Sequence, residues 1–124
     1  MKESIPPILR PDHVAPVAFS SLVADFELEY AFAGEAQLLG ISMNTADLRA
    51  GDLFVAMPGL KTHGANFAGR AIELGASAII TDAAGFELIE NREVPIAILE
   101  EPRKHLGALA AHVYGNFALV MPKI

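Results

Sequence analysis

Residues 52–57, Asp-Leu-Phe-Val-Ala-Met, constrain the fold more than any other stretch of the chain. Five of them are apolar in unbroken succession, a run too short for a helix and suited to a buried strand. Pro58-Gly59 ends the run, because proline offers no N–H to a sheet ladder and glycine admits positive φ. A short polar loop, Leu60-Lys61-Thr62-His63-Gly64, follows, and Ala65-Asn66-Phe67 opens a helical pattern. In α/β proteins such a loop lies at the strand's carboxyl end, where the N–H groups of the next helix favour anions. Loop 59–64 is therefore the candidate functional site.

The alternation continues downstream. Residues 66–74 predict a helix with Phe67, Ala71 and Leu74 inward, and Gly75 is its natural left-handed stop. Residues 76–81 read as a strand ended by Asp82. Residues 85–91 read as a short helix with Phe86 and Ile89 inward, and 95–99 as the next strand. Pro102 suits the first turn of a helix that sets Leu106, Leu109, Ala110 and Val113 on one face and stops at Gly115. Upstream, 38–43 reads as a strand and Asn44-Thr45-Ala46-Asp47 as a turn. Ser20-Ser21 can cap a short helix with Leu22, Val23 and Phe26 on its apolar side. Residues 27–37 are mixed and fit no single type. The expected fold is α/β, a small, largely parallel sheet with helices packed over it and right-handed crossovers.

A length of 124 residues suits one domain. Residues 1–18 hold four of the eight prolines and read as an extended arm, leaving 19–117 as the folded unit. No run approaches the roughly 18 apolar residues of a membrane helix, and the start of the chain does not read as a signal peptide. The absence of cysteine excludes disulfides, thiol catalysis and Cys-based metal sites. A formal charge of −6 argues against nucleic acid as a partner, since phosphate neutralisation needs a basic stripe. Neither a membrane nor a nucleic acid is expected, and the compartment is read as cytoplasmic.

Residues 59–64 have the G-x-x-x-x-G frame of a phosphate-cradling loop, but Ala65 and Asn66 stand where that motif needs Lys and Ser/Thr. An ATPase reading of this loop fails for want of a Mg²⁺ ligand and of reach to a γ-phosphate. Lys61 can still meet a diphosphate as a point charge; the alternative is an ordinary turn with a solvated lysine. His13, His63, His105 and His112 show no metal-binding spacing. His105 and His112 read as solvated, and His63 either donates to a ligand or caps the next helix. There is no G-x-S-x-G, and the pairs Glu87/Glu90 and Glu100/Glu101 read as a polar helix face and a strand–helix junction. No catalytic residue and no metal site is expected, and catalysis by this chain alone is not expected.

The stretch LLGISMNTADLRAGDLFVAMPGLKTHGANFAGRAIELGASAIITD, followed by PIAILEEPRKHLGALAAHVYGNF, resembles the N-terminal domain of the Mur ligases. Within them it is most similar to the type that adds the third stem-peptide residue to UDP-N-acetylmuramoyl-L-alanyl-D-glutamate. The resemblance covers roughly residues 38–124. It implies a domain that holds the UDP end of that substrate through Met43, Thr45, Leu60, Lys61 and Thr62. It also implies that the remaining domains of the same chain bind ATP, Mg²⁺ and the incoming amino acid, diaminopimelate or lysine. Residues 118–124 then read as the start of a central ATPase domain. Family members often carry Asp-Ser-Arg where this chain has Asn44-Thr45-Ala46, so Thr45 keeps a hydroxyl while the arginine's contact is lost. A later-step ligase adding D-alanyl-D-alanine, or a non-catalytic interaction module, are the alternative readings.

Overall fold

The computed structural model describes residues 15–115, and the start of a central ATPase domain expected at 118–124 lies outside them. Seven strands and four helices follow in the order β1 (Val17–Ala18), α1 (Phe19–Asp25), β2 (Glu29–Phe32), β3 (Gln37–Leu38), β4 (Gly40–Ser42), β5 (Asp52–Ala56), α2 (Ala68–Glu73), β6 (Ala78–Thr81), α3 (Ala83–Phe86), β7 (Ile96–Ile98) and α4 (Leu106–Val113). The main sheet has the order β2-β7-β6-β5-β4. β4, β5, β6 and β7 are parallel, with Ser42 opposite Phe54, Phe54 opposite Ile79, and Ile79 opposite Ile96. β2 closes one edge antiparallel to β7. The expected α/β class is the observed one.

Both faces of the sheet are covered, which is why its strands read as continuous apolar runs. Side chains alternate between faces with period two. Leu53, Val55, Ala78, Ile80 and Ala97 join Phe19, Leu22, Leu109 and Val113 in one core, under α1 and α4. Phe54, Ala56, Ile79 and Ile96 join Ala65, Ala68 and Ala71 in the other, under α2 and the segment after α3. The chain steps in one direction from β5 to β6 to β7, so crossovers of one hand place α2 and α3 on the same face.

Several local expectations are corrected. Val17 and Ala18 are not part of a free arm; they pair antiparallel with Leu38 and Gln37. Ser20 and Ser21 lie inside α1, whose N-cap is Ala18 with no side-chain bond. The capping acceptor comes instead from Glu35, which takes the Ser20 amide at 3.1 Å and the Ser20 hydroxyl. The helix expected over 66–74 begins as a 3₁₀ turn at Gly64–Phe67. Three residues per turn shift its phase, so Ala65 and Ala68 point inward and Phe67 is 48% exposed. The helix expected over 85–91 is shorter and earlier, Ala83–Phe86, with its N-cap Asp82 accepting from the Gly85 amide. His112 is not solvated: its Nδ1 lies 3.2 Å from Asp25 Oδ2, its Nε2 3.1 Å from Ser21 Oγ, and its ring packs edge-on to Phe26.

Candidate functional site

The candidate residues come from two loops that leave the carboxyl ends of adjacent strands. β4 ends at Ser42 and β5 at Ala56, and because the two strands are parallel both loops leave from the same edge of the sheet. That edge is where open α/β sheets hold ligands.

The first loop is held by its own side chains. Asn44 Oδ1 accepts the Asp47 amide at 3.0 Å, and Ser42 Oγ donates to the Asn44 carbonyl at 2.7 Å. Met43 is half-buried against the α1/α4 core, and the half-buried Thr45 accepts the Leu48 amide through its carbonyl at 3.4 Å. No bond to the Thr45 hydroxyl occurs among the described residues.

The second loop is closed on itself. Pro58 and His63 form an isolated antiparallel bridge, with Gly59 N–H donating to the Thr62 carbonyl at 3.0 Å and Gly64 N–H to the Met57 carbonyl at 2.7 Å. His63 Nδ1 accepts the Ala65 amide at 2.9 Å, and the His63 carbonyl accepts the Asn66 amide at 3.0 Å. The amides of Gly59, Gly64, Ala65 and Asn66 are thus already engaged. This corrects the expectation that the helix start near Asn66 offers free N–H groups to an anion. The amides of this loop for which no bond occurs among the described residues are those of the apex, Leu60, Lys61 and Thr62, and that of His63. All three apex residues are exposed, Leu60 completely. The Thr62 hydroxyl accepts from Asn66 Nδ2 at 2.6 Å.

His63 is a cap. Its Nε2 lies 2.8 Å from Asp82 Oδ1, which also accepts the Gly85 amide at 2.7 Å. Because Nδ1 accepts from an amide, the ring proton sits on Nε2 and is donated to the carboxylate. No sequence motif marks this pair, since its members lie 19 residues apart.

Beside the second loop, at the carboxyl ends of β5, β6 and β7, lies a cavity of about 550 Å³ lined by Pro58, Asp82, Glu100, Pro102, Arg103 and Lys104, with Glu101. Its polar groups hold one another or the backbone. Glu100 accepts the Ala83 amide at 2.9 Å, and Arg103 Nη2 donates to the Pro58 carbonyl at 3.3 Å. Glu101 pairs with Lys104, which holds the glutamate below the usual carboxylate range and the lysine above its own. Sequence reasoning placed Glu100 and Glu101 correctly at a strand–helix junction and gave no sign of the cavity.

No group of three or more His, Asp or Glu residues is placed to hold a metal among the described residues. Fold and loops together define an α/β domain whose mostly parallel sheet is covered on both faces and carries these loops at its carboxyl edge. A family model described as Mur ligase family, catalytic domain, matches residues 37–114. The UDP-N-acetylmuramoyl-L-alanyl-D-glutamate–2,6-diaminopimelate ligase of Streptomyces coelicolor is 41% identical over 83 residues, covering 67% of this chain and 16% of that protein. The UDP-N-acetylmuramyl-tripeptide synthetase of Leifsonia xyli is 36% identical over 110 residues, covering 88% and 21%. A solved structure of MurF from Acinetobacter baumannii shares the fold, with a TM-score of 0.62 at 19% identity over 80% of this chain and 21% of its own. The chain belongs to the Mur ligase family. It spans 16% and 21% of the lengths of the two curated relatives named here.

Proposed function

We propose that this chain is the N-terminal, nucleotide-holding domain of an ATP-dependent Mur ligase that adds the third stem-peptide residue to UDP-N-acetylmuramoyl-L-alanyl-D-glutamate. Residues 19–117, with β1 paired onto them, form that domain, the residues before β1 lead into it, and 118–124 begin the central ATPase domain. ATP, Mg²⁺ and the incoming diaminopimelate or lysine bind elsewhere in the full enzyme, which works in the cytoplasm. Among the described residues no helix is long and apolar enough to cross a membrane.

The observation that carries the reading is the loop apex. The amides of the exposed residues 60–62 have no partner among the described residues and stand beside the Lys61 ammonium, on a loop whose flanking amides at Gly59, Gly64, Ala65 and Asn66 are closed. Such a set suits a diphosphate: N–H donors and a point charge, held on a fixed base. Met43 and Leu60 offer apolar surface and Thr45 a hydroxyl, the kinds of group that a uracil ring takes up. Thr62 holds the apex to the following turn through Asn66.

Calorimetric titration of the chain with UDP and with UDP-N-acetylmuramoyl-L-alanyl-D-glutamate, with amide resonances followed in parallel, tests it. Saturable binding that moves the resonances of 43–45 and 60–62 is the expected result. Absence of any shift in both segments with either ligand overturns it.

A further inference from the structure

We infer that His63 and Asp82 are positioning residues for the nucleotide loop, fixing where the 60–62 apex stands without touching the ligand; this rests on the nucleotide reading above. The two backbone bonds across the Pro58–His63 bridge close the loop on itself. They fix its internal shape and leave its tilt over the sheet edge undetermined. What ties it to the rest of the molecule is a short relay of side chains.

His63 Nε2–H donates to Asp82 at 2.8 Å, and both side chains are only 12% exposed. Asp82 is in turn anchored by the Gly85 amide at the start of α3. The imidazole lies directly over Gly85: a Cβ there would stand 2.6 Å from the ring's Cε1 and 2.9 Å from Nε2, with Thr81 Oγ1 at 2.1 Å. Thr81 Oγ1 itself donates to the Ala56 carbonyl at 3.0 Å, tying the carboxyl ends of β5 and β6. On the other flank Arg103 Nη2 holds the Pro58 carbonyl. The loop is thus pinned from two sides by residues that lie 19 and 45 positions from their partners, while its apex stays open. Glycine at 85 is the opening in α3 that lets the ring reach the carboxylate.

The two nitrogens of His63 do different work, and this gives the test. Asparagine places an acceptor where Nδ1 is and keeps the Ala65 cap, but it cannot reach Asp82. Glutamine places a donor where Nε2 is and keeps the Asp82 link, but loses the cap. UDP affinity, amide shifts of 60–62 and thermal midpoints are measured for the chain, His63→Asn and His63→Gln. The loss of one directing hydrogen bond predicts UDP binding about 5- to 10-fold weaker in His63→Asn, and within about 2-fold of the parent in His63→Gln. His63→Asn is also expected to shift the 60–62 amides without ligand, and the ring Nδ1 of the parent to give the signal of an unprotonated nitrogen. A parent that binds UDP while both variants bind equally well, or with the glutamine variant the weaker, overturns the positioning role and leaves the nucleotide reading intact. A parent that binds neither UDP nor the full substrate overturns the nucleotide reading, and with it the role in binding.

Discussion

Gly51 donates its amide to the carbonyl of Gly75 at 2.8 Å, and both glycines hold a positive φ, 91° and 106°. The bond joins the entry of β5 to the exit of α2, so the strand that carries the candidate loop and the helix that follows the loop share one corner. A side chain at 75 would put its Cβ 2.8 Å from Ala50 Cα, a backbone atom that cannot swing away. Gly75→Ala is expected to lower stability by about 1–3 kcal/mol, from left-handed strain and the clash together. Denaturant unfolding measures it, and a loss below about 0.5 kcal/mol, the range of neutral surface changes, contradicts the corner's importance.

Glu35 supplies a pH-dependent clasp between α1 and the segment that leads into β3. The Ser20 hydroxyl, then the Ala36 and Ser20 amides, hold its carboxylate below the ordinary glutamate range. A folded-state pKa below the unfolded one stabilises above the unfolded value, near 4.3, and that contribution is lost as pH falls toward the folded value. Glu35→Gln should therefore lower the thermal midpoint at pH 7, with the difference shrinking as pH falls through the folded value, flattening the acid limb. Parallel acid limbs in parent and variant refute the clasp.

His112 ties α4 to α1 through Asp25, Ser21 and Phe26. Asp25 is 65% exposed, so its bond to the ring is open to solvent and the ring's packing carries most of the effect. His112→Ala is expected to cost about 1–2 kcal/mol, with a coupling to Asp25→Ala below about 1 kcal/mol in a double-mutant cycle. Coupling as large as the whole loss contradicts this division.

The sheet's parallel strands were legible in the sequence because burial on both faces imposes unbroken apolar runs, and the run in 52–57 has no other reading at that length. β2 was not, because an antiparallel edge strand needs no such run: Glu29, Tyr30 and Phe32 are exposed and only Ala31 is half-buried. The phase of the turn after the loop was misread because a 3₁₀ start moves the inward face by a fraction of a turn, trading Phe67 for Ala65 and Ala68. Loop 59–64 itself was legible from Pro58-Gly59 and Gly64. Which of its amides are free was not, because that depends on His63, Thr62 and Met57 folding back on it. Contacts such as Glu35 to Ser20 or Arg103 to Pro58 join residues 15 and 45 apart, and no local pattern encodes them.

Lys61 separates an electrostatic role from a structural one. The side chain is exposed at the apex, and the bonds that close its loop run through Gly59, Thr62, Met57 and Gly64. Lys61→Ala should leave stability within about 0.5 kcal/mol of the parent. If the ammonium meets a diphosphate, the same variant binds UDP about 3- to 10-fold more weakly at low salt, and the gap narrows as ionic strength rises and screening shortens the ammonium's reach. Uridine, which has no phosphate, serves as the control: its affinity should be equal for parent and variant. An equal loss for UDP and uridine would mean that Lys61 shapes the loop rather than meeting the anion. The diphosphate would then have to be held by the amides of 60–62 alone.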